Sequence, residues 1–530
     1  MYKVSPVATQ RTSKPYPLPA PVGGWNARDS ITSMKPTDAI QLDNMFPTAR
    51  NVQSRKGSIL FATLPVDTDP LDPHNIRSLM SYNPSSGTPK LFAACEDGIY
   101  EATAGGTISS VSSAATSGEW QHTMISNAAG TFLWCCNGVD DCRYYTGSAW
   151  VVLTGASTPA ITGIVSTDVT NVSLFKSRLY LCEKASLSFW YLGVNSINGA
   201  ASEFPLGALF PRGGYLMATA SWTFDGGSGP DDYFAAITSE GELVLYQGTD
   251  PSNSATWALV GVFFIGKPLG RRCFVKLGGD LAVQTVQGLQ PLSKVLQSAT
   301  LESSESISNK IESAWVTSSE KGKDLFGWQP IVFPSANMLL VNVPVLNAEE
   351  QNIIFSYQFV MNTQTKAWCR FAGMSAEVWG IHDDKLYFAV HNKIYQAWVG
   401  AYDESFGPID VRVRQAYFTP TGGSIAQVKL LQPLFEITST KISVQMGIDV
   451  DYNDLTGAFS SVTYAEGISY YDEAEWDEAK WTGSLFNGEW RAVSHNPGKA
   501  LSLRLRFFGR GVTLTWNATN LVLQQGSIFS

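Results

Sequence analysis

Between residues 70 and 404 the hydrophobic pattern is one of short apolar runs broken by turn residues. "KLFAACEDGIYEAT", "TFLWCCNGVDDCRYYTG", "YFAAITSEGELVLYQG" and "DKLYFAVHNKIYQAW" each set two strand-like segments around a turn rich in Gly, Asn or Asp. Asp-Gly and Asn-Gly steps supply the positive φ that two-residue turns require, so such stretches predict hairpins. The unit recurs: Gly98 to Gly138 spans 40 residues and Gly241 to Gly288 spans 47. Hairpins repeating at that period predict propeller blades, and six or seven fit the length. Beyond residue 405, "KLLQPLFEITSTKISVQMGIDVDYND" and "ALSLRLRFFGRGVTLTWNATNLVLQQG" alternate with period two, as half-buried strands do. The expected fold is therefore all-β: a β-propeller over 70–404 with a helical insertion near 296–324, and a C-terminal β-sandwich-like domain over 405–530.

Two stretches depart from this rhythm. Residues 1–69 read as an N-terminal arm, rich in Pro, Ser and Thr at first, followed by a short helix. Thr37 would cap that helix, with Asp38 in its first turn, and Ile40, Leu42, Met45 and Phe46 would fasten the arm to an apolar surface. In "LQSATLESSESISNKIESAWVTSSEKGKD", Ile307, Ile311 and Trp315 fall four apart on one helical face. That stripe suits either the rim of the propeller or a neighbouring subunit.

Composition agrees with many short strands: 16% charged residues, 46 Gly and 26 Pro among 530 residues. No apolar run approaches the ~18 residues of a membrane span, and "MYKVSPVATQ" lacks the apolar core of a secretory signal. Several of the seven cysteines sit within apolar runs such as "FLWCCNG", where Cys packs as a small hydrophobe, so reduced core thiols are expected. Net charge is −9, but residues 1–60 hold eight Lys/Arg against three Asp, leaving −14 on the remainder. A basic arm on an acidic body predicts docking of the arm onto an acidic neighbour, a second copy included, and argues against a body that grips nucleic acid.

Candidate chemistry is sparse. "WTFDGGSGPDDYF" gathers Asp225, Asp231 and Asp232 around glycines, which suits either a calcium loop or an Asx-type turn. In "YYDEAEWDEAKWTGSLFNGEW", Trp476, Trp481 and Trp490 interleave with carboxylates; they pack a hairpin or meet a receptor, a fibre or a sugar. The five histidines are scattered, with no HExxH, nucleophile elbow or phosphate loop. No catalytic residues, metal or cofactor are expected.

The segments "PAPVGGWNARDSITSMKPTDAIQLDNMFPTARNVQSRKGS" (19–58) and "RLYLCEKASLSFWYLGVNSINGAASEFPLGALFPRGGYLMATASWTFDGGSGPDDYFAAITSEGELVLYQGTDP" (178–251) resemble a family of tailed-phage structural proteins. The family is the nozzle, or tail tubular, protein of short-tailed phages, and the similarity extends through residues 263–293. It implies a virion protein assembled in the host cytoplasm as a homo-hexamer around the channel for genomic DNA. Its partners would be a tail adaptor, tail fibres and the host surface at the distal end. Another tail or head-completion protein, or a carbohydrate-active propeller, is the alternative. Candidate inter-subunit contacts are Trp25, Arg28, Ile40, Leu42, Phe46, Arg55 and Lys56 on the arm, with Ile307, Ile311 and Trp315 on the inserted helix.

Overall fold

Lys176 and Ser177 both take left-handed φ, 47° and 58°, and so fold strand Val169–Phe175 back onto Arg178–Glu183. Asp383 and Asp384 (47° and 56°) do the same between Val378–His382 and Lys385–Val390, making "HDDK" a hairpin turn. Gly241 turns the hairpin at Thr238–Glu242 with φ 86°, and a Cβ there would lie 2.4 Å from the carbonyl carbon of Gly266. Local turn chemistry thus produces an antiparallel meander.

The computed structural model describes residues 14–65, 75–225, 230–297, 305–346, 354–420, 422, 424–437, 441–453, 460–465, 485–488 and 490–525. The chain forms two units: Ile59–Phe359 with Met374–Ala397, and Met1–Ser58 with Val360–Gly373 and Trp398–Ser530.

Among the described residues the first unit contains seven successive blades, together with a two-stranded pairing of Ile161–Thr162 with Gly199–Ala200, and it is a β-propeller. The first strands of the sheets are Ser78–Tyr82, Gln121–Asn127, Val169–Phe175, Leu216–Asp225, Phe274–Leu277, Gln329–Phe333 and Val378–His382. Each touches the first strand of the next sheet, and Val378–His382 returns to Ser78–Tyr82, so the ring closes. At that joint Ser81 Oγ lies 2.9 Å from His382 Nδ1. Strand Ser58–Thr63 lies beside Lys393–Ala397 in the last sheet, with Gly106–Thr107 paired beyond it, tying the chain's early residues to its later ones. Apolar side chains fill the space between blades: Phe132, Trp134, Val169 and Leu181 form one such layer, and Phe175, Tyr180, Phe234 and Trp257 another.

The inserted helix is Glu312–Gly322, following a single 3-10 turn at Asn309–Ile311. Trp315 and Ile311 are fully buried, and Trp315 Nε1 donates to Thr285 O at 2.9 Å. Ser319 Oγ donates to Val286 O, which holds the helix across the fifth blade. Ile311 and Trp315 therefore pack inside their own propeller, where the indole gains both burial and a hydrogen-bond partner, while Ile307 is half-buried in a turn ahead of the helix.

The second unit is sandwich-like. One sheet runs Met45–Pro47, Val52–Ser54, Leu514–Gln525, Ala426–Ile437 and Leu485–Asn487. Strand Lys14–Pro19 pairs with Leu514–Gln525 in this sheet. Prolines at 15, 17 and 19 suit an edge strand, which needs donors on one side only. The other sheet includes Trp368–Phe371, Asp38–Asp43, Ile409–Gln415, Leu501–Gly509, Lys441–Val450 and Ser460–Ala465.

Residues 38–43 form a strand in place of the expected short helix. Ala39 pairs with Gln415 and Leu42 with Val413, so the backbone is satisfied by a distant segment. A helix of that length gains too few hydrogen bonds to offset its nucleation cost. The arm is corrected likewise. From Lys14 onward it is built into its own chain's sheets, while residues 1–13 lie outside the described residues.

Candidate interaction sites

The arm candidates separate by burial. Leu42 and Phe46 are core residues, and Trp25 is buried with its Nε1 donating to Ile40 O at 3.1 Å. Ile40 is half-buried, whereas Arg28 and Lys56 are exposed. Arg55, expected at an interface, is instead sealed inside the second unit and bonded on every side. Its Nε donates to Asn44 Oδ1 (2.9 Å), Nη1 to Asp403 Oδ1 (3.0 Å), and Nη2 to Asp403 Oδ2 (2.5 Å) and Ala372 O (3.2 Å). Ser58 Oγ also donates to Asp403 Oδ1 at 2.9 Å. Three sequence segments are joined through one guanidinium. The interface candidates Leu42, Phe46, Arg55, Ile311 and Trp315 are thus corrected to interior residues, because their apolar or charged groups are already satisfied within the chain. Arg28 and Lys56 remain accessible.

A charged face on the same unit escaped the sequence reading. "DVRVRQ" and "LRLRFF" become neighbouring strands in which Arg412 faces Arg506 and Arg414 faces Arg504. Asp410 pairs with Arg412 (2.5 Å) and Arg506 (3.2 Å), and buried Asp449 with Arg414 (2.9 Å) and Arg504 (3.2 Å). Asp43 pairs with Arg370 at 2.8 Å. The alternation was visible; the register that stacks the arginines was not.

In the glycine-aspartate loop, Asp232 is ion-paired to Lys176 and accepts Thr223 Oγ1 at 2.7 Å. The Lys176 hydrogen bond holds its carboxyl below the usual range. The side chains of Asp225 and Asp231 lie outside the described residues, as do Trp476 and Trp481, while Trp490 is exposed. Among the described residues no three His, Cys, Asp or Glu side chains gather as metal ligands.

At the propeller axis, Arg272, just before the fifth inner strand, donates through Nη2 to Arg77 O (3.0 Å), Ser78 Oγ (2.8 Å) and Trp120 O (3.1 Å). Those acceptors belong to the first and second blades, so this side chain spans the mouth of the ring. His122, on the second inner strand, is exposed as a residue although protein surrounds it closely. Desolvation, aided by the Arg272 charge, lowers its pKa to about 4.

These features define a seven-bladed β-propeller joined to a β-sandwich-like unit. No family model and no curated protein matches the chain. It is similar to solved propellers. BBS1N from a complex with ARL6DN is 12% identical, with TM-score 0.36, over 66% of this chain and 99% of that one. The Pan2 WD40 domain of Neurospora crassa is 9% identical, with TM-score 0.33, over 66% and 96%. Sqt1 of Saccharomyces cerevisiae is 9% identical, with TM-score 0.35, over 64% and 98%. These likenesses are remote, and the propeller assignment rests on the closed ring of sheets.

Proposed function

We propose that this chain is a structural virion protein of a short-tailed bacteriophage, six copies of which form a tail nozzle around the path of genomic DNA. The observation that carries this reading is the resemblance of residues 19–58, 178–251 and 263–293 to that family. Two of those segments run through the third, fourth and fifth blades, so the similarity falls on one continuous part of the propeller. Arg272 bridges the mouth of the ring, which favours a DNA path between copies over one through each propeller. The acidic balance beyond residue 60 suits a wall that repels the phosphate backbone and lets DNA slide. A tail adaptor above, fibres at the side and the host surface below are the partners this position requires.

Electron microscopy of the purified protein, alone and mixed with virions of the phage, tests the proposal. Six-fold rings with an open centre at the tail tip are expected. Monomers that leave the virion undecorated would overturn it.

A further inference from the structure

A cavity of about 280 Å³ opens where the inner strands begin, lined among others by Glu119, Arg271, Arg272, Lys323, Phe326 and Trp328. Arg271 and Arg272 are anchored through neutral acceptors only: Arg271 Nη1 donates to Asn137 O at 2.9 Å, and Arg272 Nη2 to two carbonyls and a hydroxyl. Neither forms an ion pair among the described residues. Nearby Arg77 differs, being neutralised by Glu377 at 3.2 Å. The cavity wall holds Arg271, Arg272 and Lys323 against Glu119 and Asp324, which leaves it positive. Phe326 closes one side, with the Arg272 and Arg77 guanidinium carbons 5.3 and 5.2 Å from its ring.

Both guanidinium groups are half-buried, Glu119 offsets the desolvation of Arg272 only in part, and neither has a carboxylate at ion-pair distance among the described residues, so an anion would complete them. The remaining N–H groups of two adjacent planar forks match the several oxygens of a phosphate better than the two of a carboxylate. We propose that the axial mouth of the propeller binds a small phosphate-bearing anion, held by Arg271 and Arg272 with Lys323 at the rim and Phe326 beneath. Desolvation first, and the Arg272 charge second, lower the pKa of His122 on the same mouth.

Inorganic phosphate is the probe, titrated into the full-length protein by calorimetry and thermal shift, with sodium chloride at equal ionic strength as control. Saturable binding and a rise in Tm are expected with phosphate and not with chloride. Lys323→Ala and Arg271→Gln should each weaken binding about tenfold, near 1.4 kcal/mol. Arg272→Lys, which keeps the charge and loses the fork, should retain the fold and weaken phosphate as well. Absence of saturable binding, unchanged affinity in the variants, or equal affinity for acetate would overturn the assignment. The readout does not depend on the nozzle reading, so either can fail alone.

Discussion

The Arg55 guanidinium meets the Asp403 carboxylate edge to edge, at 3.0 and 2.5 Å, across 348 residues of sequence. Both side chains are almost entirely withdrawn from solvent, at 1% and 3% exposure. Removing one partner strands a buried charge, which costs about 3–5 kcal/mol. Asp403→Asn and Arg55→Ala should lower stability by that amount in denaturant titration, and Arg55→Lys should recover only part of it. Full stability in Asp403→Asn would show that the pair is dispensable.

Trp315 offers a second test. Truncation to Ala removes a wholly buried indole and leaves Thr285 O without its donor, at a cost of about 3–5 kcal/mol. Unfolding monitored by tryptophan fluorescence should show the loss irrespective of oligomeric state. A variant that unfolds normally but fails to oligomerise would return this residue to an interface role.

All seven cysteines are buried, and burial pushes the thiols of Cys142, Cys182 and Cys273 up to about 12. The thiolate is the reactive form, so a disulfide-exchange reagent at pH 8 should label essentially none in the native protein and seven after denaturation. Rapid native labelling would contradict the packing described.

His122 sets an acid limit. Its folded pKa of about 4 lies below the ordinary 6.5, so on acidification the unfolded chain takes up the proton first. Its contribution is complete above pH 6.5 and is lost progressively towards pH 4. Tm should fall across that window, and His122→Asn should flatten the fall.

Truncation tests the edge strand Lys14–Pro19, with deletion of residues 1–13 as the reference. Deleting residues 1–35 removes that strand and should lower Tm by several degrees in calorimetry. Equal behaviour of the two truncations would mean that the edge strand adds nothing.

What was legible in the sequence was local. Asp-Gly and Asn-Gly turns announced hairpins, and their spacing announced blades, because turn geometry depends on two or three neighbouring residues. The turns at Lys176–Ser177 and Asp383–Asp384 carry no glycine, yet the strands flanking them still marked the hairpins. Residues 38–43 misled because their partner lies at 409–415, and short segments take the structure their distant neighbours impose. The Ile307–Ile311–Trp315 spacing pointed to a helix, which begins only at Glu312 and leaves Ile307 in a turn and Ile311 in the 3-10 turn before it. Arg271 and Arg272 carried no signal at all, since adjacent arginines are ordinary until three blades converge on them.

Strand Ser58–Thr63 completes the blade that ends at Ala397, which places a constraint on biosynthesis. A ribosome adds about 5–20 residues per second, so the propeller's first-made strand waits tens of seconds for its partner. The sandwich-like unit waits longer, because Lys14–Pro19 pairs with the last described strand, Leu514–Gln525. Throughout that interval the nascent chain carries unpaired strand edges that invite mispairing. A translation product cut short near residue 370 would lack Val378–His382, keep six blades in an open ring, and should be cleared or aggregate before it could enter any assembly.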